Sequence, residues 1–456
     1  MLGSVLKTMF PRPGESTGPA QRAAAELVLE PQPQAGQRDT VVTFLGSTRS
    51  RALDGYLAAW GPMLERRGWT HRVVQGGNPG EVERMFADGL AGRFAFAYGF
   101  AGMGTELEGT TPSGARSFWS LARTPFLKIL GDHPSYYLDR HFDLSPFTIN
   151  VYGYPEHHDF HRRMAPGRPS ALVPLAAVDP LPAEALDGER KKRGKVLFLK
   201  NGNDPEALRL RWRDCLPPLV ARSLLELSER LAPDAATAVT CADIEQAAVD
   251  HVLERLGFDL ASDLRMLALY IAQLDDYVRR VKSTMIARAL LDLPVEVHGE
   301  LWSHVDFAGK RARLVPSGDY FVSRDLMKDS LAVIDMTPNS DLGIHERFIR
   351  AASRHTLCIT NDTRALRQQF PPAAKAAFSF DASSIRERVE WALSRPAEAV
   401  ELGLEIGTQF AARHTEDDLG EFFAGVAEHY GLLAHGNPMV QDFFVWPPTR
   451  LHGGAA

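Results

Sequence analysis

Residues 331–362 read LAVIDMTPNSDLGIHERFIRAASRHTLCITND. The run Leu331 to Met336 is apolar, as a buried strand would be. It breaks at Thr337-Pro338-Asn339-Ser340-Asp341, which is turn chemistry. Gly343 then leads into His345-Glu346-Arg347 and a helical segment from Phe348 to Ala352. A second short apolar run, Thr356 to Thr360, ends at Asn361-Asp362. Strand, glycine-containing loop, helix, strand is the order of an open parallel sheet. In such sheets ligands bind at the carboxyl ends of strands, beside helix N-termini. His345, Glu346 and Arg347 are therefore expected at a ligand-binding edge.

This stretch resembles the nucleotide-sugar-binding segment of a bacterial GT-B glycosyltransferase, of the CgeB-like (spore maturation protein, family 1-like) type. In that group a Pro-Asn turn precedes a G-x-H-E-R-like loop, a helix, a small-residue turn and a strand ending in T-N/D-D. The matching residues are Pro338, Asn339, Gly343, His345, Glu346, Arg347, Thr360 and Asp362. One position departs. Many GT-B enzymes carry a Glu just before an Ala on this helix, where it holds the donor ribose. Before Ala351 this chain has Arg350. Either Glu346, one turn earlier, substitutes, or the donor is held differently.

The resemblance implies an α/β, GT-B-like fold: two Rossmann-like parallel-sheet domains facing a cleft, with a helical insertion in the C-terminal domain. It implies transfer of a sugar from a nucleotide-sugar donor to a protein acceptor, for example flagellin, or to a polysaccharide. Two other readings stay open. One is a GT-B-fold nucleotide-sugar epimerase, and the other is a non-catalytic nucleotide- or sugar-binding protein.

Working outward, the length of 456 residues suggests two or three domains. Hydrophobic residues at 45% and charged residues at 24% are ordinary for a globular chain. A net charge of -6 argues against a dedicated nucleic-acid binder, which would show a basic excess. Three distant cysteines, Cys215, Cys241 and Cys358, define no disulfide framework or metal spacing. A reducing, cytoplasmic location fits them. No apolar run is long enough to cross a bilayer, and the N-terminus lacks the apolar core of a signal peptide.

Residues 1–38, rich in Pro and Gln, are expected to form a disordered tail. An N-terminal Rossmann-like, acceptor-side domain is expected over 39–180, because short apolar runs alternate with helical segments. Thr40–Leu45, Trp69–Val74 and Phe94–Tyr98 read as its first strands. Gly99, Gly102 and Gly104 follow the third, without the spacing of a dinucleotide or Walker loop. They read as a flexible strand-end loop, with a weaker claim on donor phosphates or acceptor. A later apolar run ends in Gly131-Asp132-His133-Pro134, similar to a strand end in the same transferase group. There His133 is the candidate general base, with Asp132 to orient it. The plainer alternative is a turn capped by Asp132. His157 and His161 share a helical spacing, but no cysteine or third carboxylate completes a zinc site. They read as a solvated polar face or a rim of the acceptor site.

Residues 181–194 are expected as a solvated linker with a short basic run. The C-terminal nucleotide-sugar domain is expected over 195–430, with a helical insertion at about 205–290 and a tail over 431–456. Lys195–Leu199 reads as its first strand, and Lys200 and Asn201 begin a loop that approaches donor phosphates. In the insertion Asp275-Asp276 reads as surface charge, while Arg280 and Lys282 are candidate phosphate partners. Val295 to Trp302 contains Gly299 in a step that resembles the same family.

The chemistry expected from these residues needs no metal and no cofactor beyond the donor substrate. The chain has no Asp-x-Asp motif of the kind metal-dependent transferases use. A helix N-terminus, worth about half a positive charge, with Arg347 and Lys200 or Arg280, would neutralise the leaving diphosphate. Glu346 would accept from ribose hydroxyls, and His345 would touch sugar or phosphate. The plainer reading of His345-Glu346-Arg347 is an ion-paired helix cap.

Overall fold

The computed structural model describes residues 38–46, 51–112, 114–142, 145–173, 180–234 and 239–434. Nearly all of the expected tails at 1–38 and 431–456 lie outside the described residues. The chain divides into two compact units. One holds the described residues up to 173 together with 416–434, and the other holds 180–415. Each is built on a parallel sheet, so the α/β class with two Rossmann-like sheets is the one observed.

In the first unit the strands are β1 (Thr40–Leu45), β2 (Thr70–Gln75), β3 (Phe94–Phe100), β6 (Phe126–Leu130), β7 (Thr148–Tyr152) and β8 (Ser170–Leu172). Their order is β2-β1-β3-β6-β7-β8, and every neighbouring pair is parallel. β1, β3, β6 and β7 are buried nearly end to end, as strands covered on both faces must be. A small antiparallel hairpin, β4 (Glu108–Thr111) with β5 (Gly114–Ser117), is added after the glycine loop. That loop is locked by its own bonds: Gly104 N–H donates to Glu106 at 2.8 Å, and Trp119 Nε1 donates to Gly104 O at 2.7 Å. Its polar groups serve the fold.

The helix Glu416–Ala434 belongs to this first unit, although its sequence position falls in the span 195–430 assigned to the second domain. The reason is its apolar face. Phe422, Phe423, Val426 and Tyr430 are buried, and the Phe423 ring stacks on Phe96 with centroids 5.1 Å apart. Arg67 anchors its start through Asp417 at 2.8 Å.

The second unit has β9 (Val196–Leu199), β10 (Val295–His298), β11 (Arg313–Val315), β12 (Ala332–Ile334) and β13 (Leu357–Ile359), in the order β11-β10-β9-β12-β13. All pairs are parallel. Between β9 and β10 the chain passes through the helices Pro205–Cys215, Pro218–Asp234, Cys241–Leu256 and Leu264–Leu290. The expected strand over 331–336 is shorter than its apolar run, and Asp335 stands just past its end. No described helix is long and apolar enough to cross a membrane.

Three sequence expectations are corrected here. The basic run in 181–194 is not simply solvated: Gly188–Lys192 is helical, and Lys191 is buried with its ammonium donating to Thr356 Oγ1. Its long apolar stem makes this placement tolerable once the head finds partners. Asp275 is not surface charge but 2% exposed, held by Asn339 and Arg279. His157, His158 and His161 form no solvated face, because the helix Pro155–Met164 turns them inward against the sheet.

Candidate functional site

The register of the second sheet decides the geometry. β9 pairs with both β10 and β12, with Leu199 opposite His298 and Phe198 opposite Ile334. Parallel strands in register end together. The loops carrying Lys200 and Asn201, Gly299, and Asp335 therefore share one carboxyl edge. The loops pack closely there: a Cβ on Gly299 would lie 2.1 Å from Lys200 O, so only glycine fits. Asn201 Oδ1 accepts from Glu300 N–H at 3.0 Å, and Lys200 O accepts from Trp302 Nε1 at 2.9 Å. Asn201 and the Lys200 carbonyl are thus spent on holding the two loops together.

Asp335 is the centre of this edge, and sequence reasoning did not select it. It is fully buried. His345 Nδ1 donates to its Oδ2 at 2.7 Å, and Arg347 Nη1 donates to its Oδ1 at 2.7 Å. Burial alone would raise its carboxyl. The charges and hydrogen bonds of His345 and Arg347 outweigh that, and hold it well below the usual carboxylate range. The carboxylate in turn fixes the His345 tautomer, with the proton on Nδ1 and Nε2 as the other pole of the ring. His345 is the N-cap of the helix Glu346–Ala352, but its side chain makes no cap bond because it is turned to Asp335. The signal for Asp335 was a lone acid inside an apolar run. Such a residue is stable when buried only with partners.

Glu346 stands beside this group with its side chain 41% exposed. Arg350 Nη2 donates to its Oε1 at 3.0 Å, and the ion pair brings Nε within 2.6 Å of Oε2. Arg350 is held by Ser323 Oγ at 2.8 Å and lies over the Tyr320 ring at 5.1 Å. The residue that departs from the expected glutamate is therefore the counter-ion that aims Glu346. The two carboxylates Asp335 and Glu346 are matched by the two guanidinium groups Arg347 and Arg350. Such a group recognises a ligand by directed hydrogen bonds more than by net attraction.

The remaining expected residues fall as follows. Asn339 does not reach outward: its side chain is buried between Lys282 Nζ at 2.7 Å and Asp275 Oδ1 at 2.8 Å. Gly343 is buried, and its N–H donates to Ser340 Oγ at 3.0 Å. Arg280 is paired with Asp276 at 2.8 and 2.9 Å and donates to Asp204 O, so its guanidinium is engaged beside the β9 loop. Lys282, a candidate phosphate partner, is 1% exposed and serves the interior.

In the first unit His133 is 3% exposed. Its Nδ1 lies 2.9 Å from Ser135 Oγ and accepts from Ser135 N–H, and its ring packs on His157 and Phe160. Asp132 is the more exposed of the pair. Burial holds the His141 and His158 imidazoles below their ordinary value, and pushes His161 down to about 4. Among the described residues no group of three or more His, Cys, Asp or Glu is arranged to hold a metal ion.

No family model matches the chain, and no curated protein matches it. Among solved structures the chain is similar to T4 phage BGT in complex with UDP and Mn2+. The identity is 8%, with 85% of this chain and 99% of that chain covered and a TM-score of 0.48. It is similar to an alpha-glucosyltransferase in complex with UDP-glucose and DNA containing an abasic site, at 7% identity, the same coverage and a TM-score of 0.45. A DNA-modifying beta-glucosyltransferase, solved with and without uridine diphosphoglucose, follows at 8% identity, the same coverage and a TM-score of 0.40.

Proposed function

We propose that the second unit binds a nucleotide-activated sugar at the carboxyl edge of its sheet, and that the chain is a glycosyltransferase. The observation that carries this reading is the pairing of two carboxylates with different roles in three consecutive helix-start residues and their partners. Asp335 is buried and orients His345 and Arg347, and the guanidinium of Arg347 has further N–H groups suited to diphosphate oxygens. Glu346 is exposed and held by Arg350, as a carboxylate that accepts from a ribose diol must be. Arg350 at the position of the usual glutamate is thereby compatible with donor binding.

The motif order from Pro338 to Asp362 supports the CgeB-like resemblance, and with it a protein or polysaccharide acceptor on the first unit. The acidic balance of the chain argues against nucleic acid as acceptor. Transfer would run without a metal, the leaving diphosphate being met by Arg347, with His345 beside it. Asp132 and His133 remain the proposed acceptor-side pair; with Nδ1 accepting from Ser135 N–H, the neutral His133 ring carries its proton on Nε2 and would meet the acceptor as a hydrogen-bond donor rather than as the base.

The test is thermal unfolding of the full chain with UDP, GDP, dTDP and CMP and their sugar conjugates, each with and without EDTA. A ligand that binds the native state alone raises stability by mass action. A rise with one nucleotide, unchanged by EDTA, is the expected result and names the base. A rise abolished by EDTA would overturn the metal-free mechanism. No rise with any donor would overturn the site.

A further inference from the structure

The helical insertion ends in a buried polar knot that the proposed donor chemistry does not use. Asn339 lies in the loop between β12 and His345, with a backbone φ of 41°, in the left-handed region that asparagine tolerates better than most residues. Its side-chain amide and its carbonyl are answered from the insertion. Lys282 Nζ donates to Oδ1 at 2.7 Å, and Nδ2 donates to Asp275 Oδ1 at 2.8 Å. Its carbonyl accepts from Cys241 N–H at 2.8 Å. Lys282 and Asp275 come from the long helix Leu264–Leu290, and Cys241 opens the helix Cys241–Leu256. Two helices thus hold one loop residue by donor, acceptor and main chain at once.

Resting on the donor-site reading above, we infer that Lys282 and Asp275 are positioning residues for that site, acting through Asn339 to fix the 337–345 loop that delivers His345 and Arg347 to Asp335. A left-handed residue persists when its surroundings over-determine it, and here the surroundings are this ammonium and this carboxylate. The polarity is complementary: an amide needs an acceptor on one side and a donor on the other, and the insertion supplies one of each. The ammonium is further held by Val239 O at 3.0 Å and lies over the Phe380 ring at 4.6 Å. Burial pushes it down to about 8, while Asp275, Cys241 and Asp243 pull it back up. Arg279 shares Asp275 at 3.3 Å. Lys282 is therefore charged at neutral pH, as the bond to Asn339 requires.

The experiment uses the full chain and Lys282→Met, which keeps the side-chain volume and removes the charge. Amide hydrogen exchange in the absence of nucleotide reads loop order at Thr337, whose N–H donates to Asn361 Oδ1, and at Gly343. Exchange at these amides should rise about tenfold in the variant while the strand amides of β9 and β12 stay protected. The Kd for UDP, or whichever nucleotide the wild-type chain binds, should rise about tenfold, with the change far larger than any loss in Tm explains. Asp275→Asn, which folds into the same volume, should shift both readouts in the same direction. Unchanged exchange in both variants overturns the inference. Raised exchange with an unchanged nucleotide Kd overturns it too, since the loop order would then serve stability alone. Failure of the wild-type chain to bind any nucleotide refutes instead the functional reading beneath it, and the exchange data separate the two.

Discussion

The carboxylate of Asp335 meets His345 Nδ1 at 2.7 Å, joining the end of a buried strand to the first turn of the helix ten residues on. Arg347, two residues after His345, completes the contact with the other oxygen. A buried acid between an imidazole and a guanidinium is stable only as a set: removing the carboxylate leaves a cation without its counter-charge.

Asp335→Asn should therefore destabilise the second unit by about 3 kcal/mol, the cost of breaking a buried pair. Nucleotide affinity of the folded fraction should fall as well, since His345 loses its fixed tautomer. The acid limb of stability checks the mechanism. The folded carboxyl lies below its unfolded value, so its contribution is complete above about pH 4, the unfolded carboxylate range, and is lost as pH falls below it. Urea titrations of both proteins from pH 2 to 7 should show that part of the acid loss in the wild type alone.

Glu346 makes the opposite prediction. Its side chain is 41% exposed, and a Gln there keeps an oxygen that Arg350, with its side chain 12% exposed, can still bond. Glu346→Gln should leave Tm nearly unchanged and weaken nucleotide binding about tenfold or more, with the sugar-free nucleoside diphosphate affected as strongly as the full donor. Calorimetric titration of both ligands reads this. A normal Kd for the folded variant would remove Glu346 from the site.

How much of this was legible in the sequence depends on distance along the chain. The two sheets were legible because parallel strands covered on both faces are continuous apolar runs, as at 40–45, 94–98 and 195–199. His345-Glu346-Arg347 was legible because a turn, a glycine and a helical run frame it. Asp335 was not, because its partners lie on the far side of a loop and an acid within an apolar run reads as a strand residue. Asn339 read as an outward ligand because its turn is local. Lys282, which claims its side chain, is 57 residues away. The histidines of the helix Pro155–Met164 misled for a related reason. Their polarity suggested solvent, while Tyr152, Asn150 and Ser170 on β7 and β8 give His158 and His161 ring contacts and hydrogen-bond partners inside.

One of those histidines predicts a pH dependence for the first unit. His161 is fully buried, and burial first, then Lys128, His158 and Arg168, pushes it down to about 4. Its unfolded value is near 6.5, so unfolding takes up protons as pH falls below that value. The stability it carries is complete above pH 6.5 and is lost progressively toward pH 4. His161→Gln, which does not titrate, should flatten the stability curve across that window. Denaturant midpoints at intervals from pH 7 to 4 measure it, and equal slopes in the two proteins would mean another group governs the loss.

The last prediction separates the two units. Phe423 is buried in the first unit, stacked on Phe96 and packed against Trp60 at 5.4 Å, although it lies more than two hundred residues past the rest of that sheet in sequence. Phe423→Ala removes one ring from this core and should cost about 3–5 kcal/mol. That cost falls on the unit containing β1–β8, while Asp335, His345 and Glu346 belong to the other. The variant should therefore unfold in two steps by calorimetry, the earlier one insensitive to nucleotide and the later one raised by it. A single transition that nucleotide shifts as a whole would mean that the two units fold as one cooperative body.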